Sequence, residues 1–483
     1  MKQMIFMLVT SFLGIAGAFT VSPVWGIAVY YGYAVLRPQF IWEWVDALGV
    51  MIRDVSWSYY VAVATMAATA LWWVGLPVPL FRRKTPWYGR VCYTRSHYLF
   101  LAFTFWIGLT YFTAVNRERA EPWFWEYVKI FTMFVCATLV LQTVGDLWLI
   151  YHVVLACAVY IAYEINFFYL ATGWLFLQAR GYGGLDNNGA ALIVGMAIPM
   201  AFFAWEGTRH WVRWGFLAVI PLLMHALMLS FSRGGMLSLC VAAVFVWFRC
   251  RNKGFVSIVY AAAFVFVLAT AGKEIQQRFF SISEHEADAS AQSRLTTWKI
   301  AIKMANERPL FGFGIRCSNL FTHDYGADMP GRSIHSQYLQ TAADSGWVAL
   351  ALYLAVIASM FLGLREVRKF LRGYSDPDTL RVKSLASGIE CSLVLFCFGA
   401  IFLSLEHFEM PYVLLLLGLQ LHAITRAVAR WHPAAPPPTR SGGRPSSSPP
   451  LPSPSSSPSP LPSPSSSSSP YPPPPTSPAT VAP

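Results

Sequence analysis

Charge is what this sequence has least of. Only 12% of its 483 residues are Asp, Glu, Lys or Arg, against 55% that are hydrophobic. A chain of that make-up cannot hide so much apolar surface in a water-soluble core. Acid is scarcer still: 24 carboxylates face 36 Lys and Arg, a formal net charge of +12. In a soluble domain that excess would point to nucleic acid. Here the cations gather in short loops between apolar runs, so they signal topology, and no nucleic-acid partner is expected. Cysteine is sparse and scattered. Seven of the eight (Cys92, Cys136, Cys157, Cys240, Cys250, Cys391, Cys397) lie in or beside apolar runs, and only Cys317 sits in a long polar loop. No disulfide framework or zinc spacing follows from them, and no cofactor is expected. No internal repeat is evident.

What is there is a succession of apolar stretches near 4–18, 20–36, 57–75, 97–114, 123–142, 146–163, 187–204, 211–229, 234–248, 255–271, 345–363, 388–404 and 411–425. A helix needs about 20 residues to cross a bilayer. The fold class is therefore an all-α polytopic membrane protein of about 12–13 transmembrane helices, with one large polar loop at 271–334 expected to contain short helices. The basic, apolar N-terminus resembles a signal peptide, but further spans follow at once, so it is expected to remain as the first membrane segment.

Five basic residues in 81–95, three in 249–253 and six in 365–383 fall on one side when the spans are counted in order. By the positive-inside rule that side is cytoplasmic. The other side then receives 115–121, 178–188, the turn from Ser230 to Gly235, the loop at 271–334 and 406–411. Two domains are expected: a membrane domain over 1–431, and a disordered cytoplasmic tail over 432–483, whose Pro/Ser composition buries too little apolar surface to offset its ordering entropy.

Most of the chemistry-bearing candidates lie on the outer side. In S-F-S-R-G-G-M, Arg233 beside hydrocarbon either faces an anion or snorkels at a helix end, and Gly234 and Gly235 allow close backbone approach. The stretch 293–309 predicts a short helix, ended by Pro309, with Arg294, Trp298, Ala301 and Ala305 on one face. That helix either turns Arg294 toward a cavity or is a plain amphipathic surface helix. F-G-F-G-I at 311–315 reads as a turn.

After that turn, Ser333 is a cap candidate for a helix that places His335, Tyr338 and Leu339 along one side. His335 titrates near neutral pH and is the best general base available outside, with a structural hydrogen-bonding histidine as the competing reading. Arg180, Asp186, Asn187 and Asn188 stand at an outer helix start suited to sugar hydroxyls or phosphate oxygens. The acids of 284–288 read as solvated. The Asp376 and Asp378 pair matches a metal-binding pattern of sugar-nucleotide transferases, but no nucleotide-binding domain surrounds it.

Taken together, GGLDNNGAALIVGMAIPM (183–200), SFSRGGMLSL (230–239), the stretch 278–315 and HSQYLQTAADSGWVAL (335–350) resemble the superfamily of bacterial O-antigen ligases, O-antigen polymerases and protein O-oligosaccharyltransferases. They look most like its O-glycosylation ligases associated with the exosortase A system. The resemblance implies a metal-independent glycosyltransferase of the bacterial inner membrane, working on the periplasmic side. It would move a glycan from undecaprenyl diphosphate to an acceptor hydroxyl on lipid A core, another glycan or a protein.

By the same resemblance His335 is the base that activates the acceptor, and Arg233 and Arg294 bind the donor diphosphate. Arg180, Asn187, Asn188, Ser232, Arg316 and Tyr338 are further substrate-binding candidates. Two alternatives remain open: a polymerase of lipid-linked repeat units, and a transporter or flippase of lipid-linked glycan.

Overall fold

The computed structural model describes residues 2–43, 45–47, 49–74, 93–270, 289–404 and 408–431. The acids of 284–288 and the Pro/Ser stretch beyond 431 lie outside the described residues, as does most of the basic stretch 81–95. The described chain is mostly helical, and its strands are confined to a hairpin of β1 (Asp46–Ala47) and β2 (Val50–Met51), with one isolated bridge between Tyr182 and Leu185.

In chain order the helices are α1 (Lys2–Thr20), α2 (Val24–Leu36), α3 (Pro38–Ile41), α4 (Trp57–Trp73), α5 (Arg95–Phe112), α6 (Arg117–Val140), α7 (Val144–Thr172), α8 (Phe176–Arg180) and α9 (Asn187–Gly207). There follow α10 (Arg213–Leu229), α11 (Arg233–Arg249), α12 (Lys253–Thr270), α13 (Ala289–Glu307), α14 (Ser318–Phe321), α15 (Gln337–Phe370), α16 (Pro377–Gly399) and α17 (Glu409–Trp431). Every predicted apolar stretch coincides with one of these helices. Among the described residues seven are long and apolar enough to cross a bilayer, and three shorter apolar helices accompany them. Large apolar side chains such as Phe12, Phe105 and Leu170 stand exposed on the outside of the bundle, as expected of a surface that lipid covers. The protein is an all-α, multi-pass membrane protein.

The core is built around α9. Its run of Gly, Ala and other apolar residues is buried almost all round, because small side chains let neighbouring helices approach closely. Along α16 the same device recurs. A Cβ on Gly388 would lie 2.1 Å from the Tyr151 hydroxyl, which itself donates to the Met200 carbonyl at 2.8 Å. Ser392 Oγ donates to the Met196 carbonyl at 2.8 Å, fixing α16 against α9.

One helix departs from its expected form. The helix foreseen after Ser333 begins instead at Gln337, with Ser336 in the cap position, because His335 takes a left-handed φ of 53° that no helix can include. α15 then runs through a break at Gly346, where φ is 82° and ψ 169°. The break frees backbone groups, and the F-G-F-G-I loop takes them up. Phe313 N donates to the Ala343 carbonyl at 3.0 Å, Gly314 N to the Asp344 carbonyl at 2.8 Å, and Trp347 N to the Pro309 carbonyl at 2.8 Å. What read as a simple turn is the splice that fastens the polar loop to a membrane helix. The tip of α5 joins it: Val115 N donates to the Phe313 carbonyl at 2.9 Å, and Trp106 stacks on Phe311.

Polar segments gather at the two ends of the bundle. One end holds the α5–α6 turn, the starts of α9, α11 and α15, and the loop from 309 to 336. The other holds the ends of α9, α11 and α15 and the start of α16, where Asp376 caps the helix by accepting from Thr379 N at 3.0 Å. Asp376 therefore has a structural role.

Candidate active site

The turn S-F-S-R-G-G closes α10 and opens α11. Phe231 takes φ 53°, a backbone conformation rare for an aromatic residue, which folds the two flanking serines back onto the turn. Ser230 Oγ accepts from Ser232 N at 3.1 Å, and Ser232 Oγ caps α11 by accepting from Gly235 N at 3.1 Å. Ser232 also donates to Asn188 Oδ1 at 2.7 Å, while Asn187 Nδ2 donates to the Ser230 carbonyl at 2.9 Å. Asp186 caps α9 by accepting from Gly189 N at 2.7 Å. The N-termini of α9 and α11 are thus tied side by side with their partial positive charges at the same end. Arg233 is the first residue of α11 and is half-buried there.

The facing wall is α13. Its Trp298 packs on Phe402 with ring centroids 6.3 Å apart. Phe402 in turn covers Gly234, where an added Cβ would lie 3.7 Å from it. Ala301 and Ala305 are fully buried on the same side of α13. Arg294 lies one turn before Trp298 and is half-buried.

His335 joins the two walls. Burial first, and then the Arg294 guanidinium, hold its imidazole below the ordinary histidine value, with Asp186 pulling it upward and Arg332 adding to the depression. The imidazole is therefore predominantly neutral at pH 7 and able to accept a proton. Arg332 was not foreseen. It donates to Ser293 Oγ from Nε at 3.2 Å and from Nη2 at 2.5 Å, and pairs with Asp328 at 3.4 Å. Its position three residues before His335, with an acid four residues earlier, was the available signal.

Other candidates hold the scaffold. Tyr338 donates its hydroxyl to the Cys397 carbonyl at 2.7 Å, and Gln337 N donates to the Ala400 carbonyl at 2.8 Å, so the start of α15 is pinned to the end of α16. Arg316, also at a positive φ of 57°, lies over the Trp123 ring at 4.9 Å. Beside it, buried Asp344 accepts from Ser318 N at 2.9 Å and Gln340 Nε2 at 2.8 Å. Arg180 is exposed and lies over Trp174 at 5.5 Å. Asn187 and Asn188 are engaged with the serine turn.

Residues 218–354 match the family model described as O-antigen ligase. This stretch is similar to the O-antigen ligase family. It runs from within α10 into α15 and includes Ser232, Arg233, Arg294, Arg316, Arg332, His335 and Tyr338. Asp186, Asn187 and Asn188 precede it, so the matched stretch is braced at Ser232 by residues outside it, at the start of α9. No curated protein matches the chain. Among the described residues no three His, Cys, Asp or Glu side chains are grouped closely enough to hold a metal ion.

Proposed function

We propose that this O-antigen ligase-like enzyme transfers a glycan from undecaprenyl diphosphate to an acceptor hydroxyl at the periplasmic face of the bacterial inner membrane. The observation that carries this reading is His335, half-buried beside Arg294 and Asp186, with burial and Arg294 holding its imidazole below the ordinary histidine value, at the end of the bundle where the N-termini of α9 and α11 are tied together. His335 takes the proton from the acceptor hydroxyl as its oxygen bonds to the anomeric carbon of the donor sugar. The bond from that carbon to the diphosphate oxygen breaks, and its electron pair leaves with the lipid diphosphate.

Arg233 and Arg294 stabilise the charge that grows on the leaving oxygen, an anion for which fixed guanidiniums and helix N-termini are matched donors. The leaving group is already activated, so positioning and one base suffice. The same chemistry serves a ligase or a polymerase, which differ in acceptor. Residues 1–431 form the catalytic unit, and 432–483 take no part in transfer.

The test is glycan transfer by the purified full chain in detergent, where no second compartment exists and a transporter would show no product. The expected result is transfer by the wild-type protein and none by His335→Ala or Arg233→Ala, both still inserted in membranes. Full activity in both variants would overturn the reading.

A further inference from the structure

The end of the bundle opposite His335 contains a second polar site. A cavity of about 660 Å³ opens there between the ends of α9, α11 and α15 and the start of α16. Arg249 and Arg251 line it from one side, and Arg365, Arg368, Lys369 and Arg372 from another. Lys383 of α16 adds a further cation, and Glu206 is the one carboxylate among the lining residues.

Part of this charge is compensated internally. Arg249 grips Glu390 from Nε at 2.6 Å and Nη2 at 3.0 Å, and Arg368 Nη2 reaches the same carboxylate at 2.8 Å. Glu206 accepts from Arg251 N at 2.7 Å. Two carboxylates against seven cations leave a strong positive excess. Cations at helix C-termini offset the helix dipole, but one or two per helix end do that, whereas the end of α15 brings three to this wall and Arg372 just beyond it a fourth.

Two further observations point to a ligand. Arg368 Nη1 is buried and has no hydrogen-bond partner among the described residues, a donor that an anion's oxygen would satisfy. An aromatic residue stands at the rim: Phe248, which lines the cavity, is exposed, and beside it in sequence Trp247 lies under Lys253 at 4.4 Å. A basic cavity between the ends of membrane helices, with an exposed phenylalanine at its mouth, presents phosphate-binding donors at headgroup depth beside a surface for acyl chains.

We propose that this cavity binds the headgroup of an anionic phospholipid carrying more than one phosphate. The occupant lies at the membrane surface opposite the His335 site and ties α11, α15 and α16 together there.

The test uses the full chain in phosphatidylcholine nanodiscs doped with cardiolipin, with retained lipid counted by native mass spectrometry. Wild-type protein is expected to retain cardiolipin. The triple variant Arg365→Gln/Lys369→Gln/Arg372→Gln, which spares both arginines bound to Glu390, is expected to lose on the order of a hundredfold in apparent affinity. Cardiolipin should also raise the unfolding midpoint of the wild type and not of the variant. Equal retention by both proteins overturns the proposal, as does retention of phosphatidylcholine equal to that of cardiolipin. Stabilisation by sodium pyrophosphate in undoped nanodiscs, without stabilisation by cardiolipin, overturns the lipid assignment in favour of a soluble phosphate.

Discussion

The Thr297 hydroxyl lies 3.2 Å from the Ile334 carbonyl oxygen and 3.0 Å from that of Arg294, shared between the two. One side chain thus links the helix that carries Arg294 to the residue before His335. α13 therefore both carries Arg294 and holds the segment that ends in His335.

That coupling has a pH signature. Burial and Arg294 hold His335 below the ordinary histidine pKa, so the imidazole proposed as the base stays neutral as pH falls to that ordinary value. The acid limb of the transfer rate should lie below about pH 6.5. Arg294→Gln removes a depressing charge and should move the limb upward, while also raising KM for the donor. Rate–pH profiles of the two proteins check this, and an unmoved limb would break the link.

His335→Asn separates chemistry from fold. Asn tolerates the left-handed φ that His335 adopts, so the loop should keep its path. Loss of a general base costs about 10²–10⁴-fold in rate. Thermal unfolding should change little while transfer falls by that factor. A rate within threefold of wild type would rule His335 out as the base.

Gly346→Ala attacks the splice between loop and helix. At φ 82° a Cβ there would lie 2.1 Å from the Leu310 carbonyl oxygen, so backbone must move. The bonds of Phe313, Gly314 and Trp347 to this region should fail together. The expected readouts are a lower unfolding midpoint and faster proteolysis within 309–316, with transfer impaired although no proposed catalytic residue has changed. Gly312→Ala, whose Cβ would meet Asp344 backbone at 2.4 Å, should behave alike.

Removing residues 433–483 should leave glycan transfer by purified protein within a factor of about two. Loss of transfer in a truncated protein that still inserts and unfolds cooperatively would assign the Pro/Ser stretch a catalytic role.

Much of this was legible in the sequence, because hydrocarbon imposes its own spacing. All thirteen predicted apolar stretches are helices, and α13 stops just before Pro309 as predicted. Arg233, Arg294 and His335 could be singled out because charge beside long apolar runs is rare enough to notice. The scaffold was harder to read. Tyr338 looked like a ligand contact, yet its hydroxyl is used by the Cys397 carbonyl, a partner 59 residues away. Asn187 and Asn188 likewise brace the serine turn, an interaction between separate helix ends that local spacing cannot reveal. The helix start moved from Ser333 to Gln337 because His335 lies in a left-handed conformation, which no propensity scale anticipates for a histidine.

α15 runs from beside His335 to the cavity at the far end of the bundle. Beyond the break at Gly346 the helix runs unbroken to Phe370, about 36 Å at 1.5 Å per residue, enough to cross the about 30 Å of hydrocarbon. A helix is also a protractor, turning about 100° with each residue. Between Trp347 and Leu364 the chain therefore sets an angle as well as a distance. A single residue inserted there would leave His335 where it is and swing Arg368 a quarter turn or more away from Glu390. The two ends of this protein are held in phase by the length of one helix.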